Sequence, residues 1–240
     1  MFEICRQLEW DSQLFEQRIA RIEYDRLTST QLAQALKWCG EQRIDCLYFL
    51  CTPEDNASVL LAETAGFHFV DIRIELNWNV ELQSLPLDTA IREFHEPDLA
   101  ALRKIASQVY GNTRFGYDNR FSADRVSKLY QEWLNLSCQN PLHKVFVATG
   151  KDYEDGVAGF ITCQFDDPEI GRIGLLGLGD NAQGKGLGHL LVQTAQQFFH
   201  SAGAHEVRVV TQGRNISAQR LYQRCGFRTQ KVGLWYHKWF

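Results

Sequence analysis

Apolar positions recur at every second residue in some stretches and at every third or fourth in others, and the switches between the two periods mark out the elements. "RIARIEYD" (Arg18–Asp25) alternates like a half-buried strand. In "TSTQLAQALKWCGEQR", Leu32, Ala35, Leu36 and Cys39 fall at helical spacing, with Ser29 or Thr30 as the expected cap. "CLYFLC" (Cys46–Cys51) suits a buried strand, Asn56 to Ala65 reads as a helix ended by Gly66, and "FHFVDIRIELNW" alternates again. "VELQSLPLDTA", with Pro86, predicts a linker.

Beyond it, "TAIREF" predicts a strand and "EPDLAALRKIASQVY" a helix, with Pro97 near its first turn. "ADRVSKLYQEWLNLSCQ" predicts a second helix, with Val126, Leu129, Tyr130, Trp133, Leu134 and Cys138 on one side. Three strands are expected in "KVFVAT", "GVAGFITCQFD" and "RIGLLGLG", then a helix from Leu187 to about Ala202. The strand "EVRVVTQ", a helix from about Ile216 to Arg224 and a strand pair, "FRTQKVG" and "LWYHKWF", complete the chain. This mixture places the chain in the α/β (α+β) class. An internal echo links "DCLYFLCTPEDNASVLLAETAGFHFV" to "HEVRVVTQGRNISAQRLYQRCGFRTQ" in the order strand, asparagine, helix, Gly-Phe, strand. Chance recurrence and duplication both account for it. As a partial copy, the first block lacks a glycine-rich loop, so it could shape a cleft but not bind phosphate in the same way.

Composition narrows the classes. A chain of 240 residues, 45% hydrophobic and 22% charged, is ordinary for one large or two small soluble domains. A net charge of -4 argues against a nucleic-acid partner, which calls for a basic surplus. No apolar run reaches the roughly 18 residues of a membrane span, and "MFEICRQLEWDSQLFEQRIARIEYD" has no apolar core of a signal peptide. The seven cysteines are odd in number and scattered without a C-x-x-C pair. They predict neither a disulfide framework nor a metal site, and a reduced, cytoplasmic setting is expected.

The stretch "GLGDNAQGKGLG" (Gly177–Gly188) carries the most chemistry, and it fits three phosphate loops. As a Walker A loop it fails at Gly186, where a Ser or Thr should hold Mg²⁺. As a dinucleotide loop it would put Gly184, Gly186 and Gly188 inside the first helical turns, and the strand that should end in a ribose-binding acid ends in Gln212. The third pattern, Q-x-x-G-x-G over Gln183, Gly186 and Gly188, starts the helix at the last glycines. Leu187, Leu190, Leu191, Thr194, Ala195, Phe198 and Phe199 then form one buried stripe, and the helix N-terminus faces a diphosphate without needing a metal.

In that register, "RIGLLGLGDNAQGKGLGHLLVQTA" resembles the cofactor motif of the GNAT superfamily of N-acetyltransferases, and "NISAQRLYQRCGF" resembles its later N-x-x-A-x-x-x-Y-x-x-x-G-F motif. The resemblance implies a central mixed, mostly antiparallel sheet flanked by helices over residues 88–240, preceded by a partial GNAT-like domain over 1–84. It implies acetyl-CoA as co-substrate and no metal. The amides of Gln183, Gly184, Lys185, Gly186, Leu187 and Gly188 would hold the pyrophosphate, and Leu176, Gly177 and Leu178, on a strand splayed from its neighbour, would pair with the pantetheine arm. Lys185 would reach a phosphate or stay solvated. Asn215 would cap the next helix and contact the arm, and Tyr222 would stand beside the thioester sulfur as general acid. No general base is identifiable; His68, His143 and His205 are weak candidates.

"TRFGYDNRF…YQEW", the early "LEWDSQLFE" and the closing "LWYHKW" resemble a narrower family of bacterial enzymes that acetylate the 4-amino group of dTDP-linked amino-dideoxy sugars (dTDP-fucosamine), in enterobacterial common antigen assembly. Arg114, Phe115, Tyr117, Asn119 and Arg120 lie between two helices and offer cations for a diphosphate and rings for a base or sugar. Equally, they could form a surface loop packed over the sheet. The expected partner is a nucleotide-linked amino sugar, with no nucleic acid and no membrane, and a homodimer is compatible with the sequence. Alternatives are a GNAT enzyme acting on another small amine or a protein N-terminus, and a non-catalytic acyl-CoA sensor.

Overall fold

A computed structural model describes residues 4–80, 90–109 and 113–240. Ten strands form one open sheet: β1 (Cys5–Gln7), β2 (Ile19–Ile22), β3 (Cys46–Cys51), β4 (His68–Asn79), β5 (Ile91–Glu93), β6 (Lys144–Thr149), β7 (Val157–Asp167), β8 (Ile170–Leu178), β9 (Glu206–Gln212) and β10 (Arg228–Trp239). Their order is β1-β2-β3-β10-β4-β9-β8-β7-β6-β5. Only β2–β3 and β8–β9 are parallel, so the sheet is mixed and mostly antiparallel, as expected. The helices are α1 (Glu9–Phe15), α2 (Ser29–Gln42), α3 (Asn56–Thr64), α4 (Leu99–Val109), α5 (Arg114–Tyr117), α6 (Ala123–Gln139), α7 (Leu187–Ser201) and α8 (Ile216–Arg224). Among the described residues, no helix is long and apolar enough to cross a membrane.

Three apolar clusters bind helices to sheet. Leu191, Val192 and Phe199 of α7 meet Val207, Val209 and Phe227, and Leu102 of α4 and Leu129 of α6 meet Phe115, Val147 and Phe160. Leu32 and Ala35 of α2 and Ala62 of α3 cover Leu47 and Phe49. The apolar stripes read from the sequence thus face the core, the main source of stability for short helices, with Trp133 of α6 the exception, 36% exposed and stacked on Trp10.

The internal echo recurs in the order and spacing of the elements. β3, α3 and β4 start at residues 46, 56 and 68, and β9, α8 and β10 start at 206, 216 and 228, an offset of 160 residues throughout. The strand following each helix crosses over. β4 pairs with β9, and β10 pairs with β3, so the order β3-β10-β4-β9 interleaves the two sets.

Several local expectations change. The closing strand pair is one strand, β10, irregular between Thr229 and Lys231 and between Trp235 and Tyr236. Gly233 is no turn: a Cβ there would lie 2.7 Å from Leu50 Cδ1, so the missing side chain lets β3 pack closely. The cap of α2 is Thr28, not Ser29 or Thr30. Its hydroxyl accepts from the Gln31 N–H at 3.2 Å while Gln31 returns a bond to the Thr28 N–H at 2.9 Å, a capping box. The segment between α4 and α6 contains a helical turn, α5, rather than only loop, and β1 and α1 were not anticipated. The linker reading of residues 80–90 falls almost wholly outside the described residues.

Candidate functional site

The parallel ladder between β8 and β9 runs from Ile170↔Glu206 to Ile173↔Val209 and stops there. β8 continues to Leu178 against β7 alone, and β9 to Gln212 against β4 alone. A gap opens between the two strands, and a cavity of about 510 Å³ occupies it. Ile173 to Leu176 of β8, Val210 to Gln212 of β9 and Asp71 to Arg73 of β4 form its sheet side. Opposite stand Tyr130, Trp133, Leu136 and Ser137 of α6, with Arg114 and Phe115 of α5, while Asn215, Ala218 and Tyr222 enter from α8.

Beyond the end of β8, a single 3-10 turn (Asp180–Ala182) leads into the glycine loop. Gly184 and Gly186 take φ of 74° and 84°, the left-handed region that glycine enters without strain. Gly186 is the N-cap of α7 and, lacking a side chain, caps nothing. The first amide of the helix to turn back is His189, which donates to the Gly186 carbonyl at 3.0 Å. The amides of residues 184–188 donate to no acceptor among the described residues. A Cβ on Gly184 or Gly186 would meet nothing within 4 Å, so the space before these amides is open. Converging unpaired N–H groups at a helix N-terminus with open space in front are what a diphosphate requires, and these residues fit that group. Gly188 does different work: its Cβ position is 3.2 Å from Leu221, so it lets α7 approach α8. Leu187 buries its side chain and offers only its amide. Lys185 is exposed, its ammonium 5.3 Å from the ring of Tyr153.

Asn215 caps α8, its Oδ1 accepting from the Ala218 N–H at 3.1 Å, and also lines the cavity. Tyr222 is 5% exposed and packs edge-on against Phe227. Burial, with smaller contributions from Cys225 and Cys163, raises its phenol pKa above the ordinary value near 10, so it carries its proton at neutral pH.

The cations and rings among the acceptor candidates separate. Arg114 and Phe115 line the cavity, although Phe115 is also core, with Phe15 and Phe121 at centroid distances of 5.4 and 5.6 Å. Tyr117 and Arg120 lie outside its wall. Tyr117 is exposed, with the Arg214 guanidinium 4.0 Å from its ring, and Arg120 sits 5.5 Å from the ring of Trp239. Of the three histidines weighed as bases, His68 and His205 are exposed and His143 lines the cavity. Its Nδ1 is buried without a partner, and burial lowers its pKa, which keeps the ring neutral. Sequence reasoning missed Asp71, which lines the cavity at 1% exposure. Its Oδ1 accepts from the Ile72 N–H at 2.8 Å and faces Arg214 Nε at 3.4 Å, while Oδ2 is buried without a partner. Burial raises its pKa against the pull of Arg214. An aspartate inside the apolar run "FVDIRI" was the available signal.

A splayed parallel strand pair, an uncapped glycine loop on the following helix and a buried tyrosine on the next define an acyl-CoA-dependent transferase fold. Residues 106–227 match the acetyltransferase (GNAT) family, and the chain belongs to it. The dTDP-fucosamine acetyltransferase of Escherichia coli is 25% identical over 174 residues, 72% of each chain. The spore coat polysaccharide biosynthesis protein SpsD of Bacillus subtilis is 27% identical over 145 residues, 59% of this chain and 48% of that one. The crystal structure of a GCN5-related N-acetyltransferase from Sphaerobacter thermophilus superposes with a TM-score of 0.70 at 17% identity, covering 98% of this chain and 76% of that one. The chain is therefore a GNAT acetyltransferase, a family that uses acetyl-CoA.

Proposed function

We propose that the protein acetylates the amino group of a nucleotide-linked amino sugar, of the dTDP-4-amino-4,6-dideoxygalactose type, in the assembly of a cell-surface polysaccharide. The observation that carries this is one cavity holding both Tyr222 and Arg114, a guanidinium within charge range of Asp71 and Asp11 but in no close ion pair with a carboxylate among the described residues. An amine acceptor bearing phosphates suits such a cavity, and the E. coli relative acts on an acceptor of that kind by its name. Residues 88–240 would carry acetyl transfer and most of the acceptor wall, and residues 1–84 would supply β4 to the sheet side of the cavity. Donor and acceptor of these kinds support a cytoplasmic reaction.

Acetyl-CoA, when bound, supplies an activated thioester. The amides of residues 184–188 would hold its diphosphate, the Gln183 amide being engaged by the Asp180 carbonyl at 3.4 Å, and Leu176 to Leu178, with Asn215, would hold its arm in the gap. Tyr222 keeps a proton for the departing sulfur. Among the described residues, Asp71 Oδ2 and His143 Nδ1 are buried without a hydrogen-bond partner on side chains that line the cavity, and either could take the amine's proton. Fixing both reactants in one cleft contributes roughly 7–11 kcal/mol to lowering the barrier, and no covalent enzyme intermediate is needed.

The test is an acetyl-CoA consumption assay of dTDP-4-amino-4,6-dideoxygalactose against polyamines, amino acids and peptide N-termini. Turnover confined to the nucleotide sugar is expected, and its absence with every nucleotide amino sugar tried would overturn the reading.

A further inference from the structure

We infer that Asp118 and His237 form a positioning pair that holds the Arg114 guanidinium in the acceptor cavity to receive a phosphate group of the acceptor. This deepens the acceptor reading above and rests on it.

Arg114 Cζ lies 4.4, 4.1 and 4.2 Å from the ring centroids of Tyr48, Phe115 and Trp235. Three rings around one half-buried cation fix its place and exclude water from its faces. Among the described residues its one hydrogen-bond contact is Nη1 with His237 Nε2 at 3.0 Å. A guanidinium can only donate, so Nε2 accepts and the imidazole proton lies on Nδ1. That nitrogen is 2.6 Å from Asp118 Oδ2, an oxygen that also accepts from Trp239 Nε1–H at 2.9 Å. The imidazole is fully buried and stacks on Tyr48 at 4.5 Å. Burial, aided by Arg114 and opposed by Asp118, lowers its pKa to about 4, so it is neutral in ordinary buffers. For Asp118, burial pushes upward, but the bonds from His237 and Trp239 outweigh it and the pKa is lowered.

The chain therefore reads carboxylate, neutral imidazole, guanidinium. A carboxylate paired directly with Arg114 would occupy the fork that matches a phosphate with two parallel bonds. With the imidazole between them, the negative charge is near enough to tolerate a buried cation, yet most of the guanidinium donors stay unused. This receptor is separate from the amides of α7, which serve the donor's diphosphate.

Calorimetry with dTDP, thymidine and inorganic pyrophosphate, on enzyme saturated with coenzyme A so that the α7 loop is filled, tests the assignment. The wild type should bind dTDP at least about tenfold more tightly than thymidine, and bind pyrophosphate detectably, as charge-assisted bonds predict. Arg114→Met should abolish both effects. His237→Phe keeps a ring over Tyr48 but removes the acceptor. It should weaken dTDP about tenfold and raise acceptor KM far more than it lowers kcat, with coenzyme A affinity unchanged. His237→Gln, whose amide oxygen can accept from Arg114, should recover most of the loss. An unchanged dTDP affinity in Arg114→Met, or in His237→Phe with coenzyme A binding intact, overturns the proposal, as does a His237→Gln variant no better than His237→Phe. Arg114-dependent dTDP binding without turnover of any amino sugar would leave this site standing and remove the acceptor reading instead.

Discussion

The two interleaved sets of elements share a plan and differ at the points where a cofactor would touch. In the second set, β8 and β9 part after Ile173↔Val209, and the helix between them begins at a glycine that caps nothing. In the first set, β2 and β3 are also parallel with a helix between them, but the equivalent gap is stitched. Thr52 N–H donates to the Asp25 carbonyl at 2.9 Å, and Leu27 N–H donates to Ser58 Oγ on α3 at 2.6 Å. α2 opens with its own capping box, so the Thr28 and Gln31 amides, which could face a phosphate, are already used. At the 160-residue offset, the counterpart of Tyr222 is Ala62, which has no proton to give. Sheet topology alone therefore does not make an acetyl-CoA site. On the proposed reading an open ladder, an uncapped helix and one phenol do, and the first set lacks all three while keeping β4, the strand that lines the cavity.

The largest expected effect probes the phenol. Tyr222→Phe should lower kcat by roughly 10²-fold or more, the scale of a lost general acid, with acetyl-CoA affinity unchanged by calorimetry. A kcat within threefold of wild type would erase this difference between the sets. The pH profile sharpens the same point. The acid must be protonated, and burial raises its pKa above its ordinary value, so wild-type kcat should show no alkaline fall due to Tyr222 below about pH 10.

Next comes the loop. Gly186 has φ 84°, where a β-branched residue is strained, and its missing Cβ faces the open space before the amides. Gly186→Val should weaken acetyl-CoA binding by about tenfold to 100-fold through both effects, and an unchanged Kd would refute the assignment of the loop.

Much of this contrast was legible in the chain, because it is written in local chemistry. Gly184 to Gly188 exclude a helix start upstream, and Leu187 to Phe199 fix the stripe that follows. The echo between the sets was legible as an order of elements, but the exchange of β4 and β10 was not. Both strands alternate in the same way, and nothing local says which neighbour a strand will take. In the sequence β10 reads as two strands divided after Gly233, because that glycine's tertiary reason, the nearness of Leu50, lies far away along the chain. The pairing of Asp118 with His237 has no spacing signature either; it exists because β10 crosses into the first set and carries His237 beneath α5. Thr28, Ser29 and Thr30 all offer a hydroxyl, and the extended backbone of Thr28, φ -90° and ψ 160°, selects it.

The smallest effect asks whether the closed helix start is structural alone. Thr28→Ala removes one half of the capping box and should cost about 1 kcal/mol in denaturant unfolding, the ordinary value of a lost N-cap. Acetyl-CoA affinity and kcat should not change, because α2 contributes nothing to the cavity wall. Nor should the variant acquire a second coenzyme A site. Freeing the amides of α2 leaves the bonds Thr52–Asp25 and Leu27–Ser58 in place, so no gap exists for the pantetheine arm. A second binding event in the calorimetric isotherm of Thr28→Ala would show that capping alone separates the two sets, and that the splayed ladder matters less than the geometry suggests.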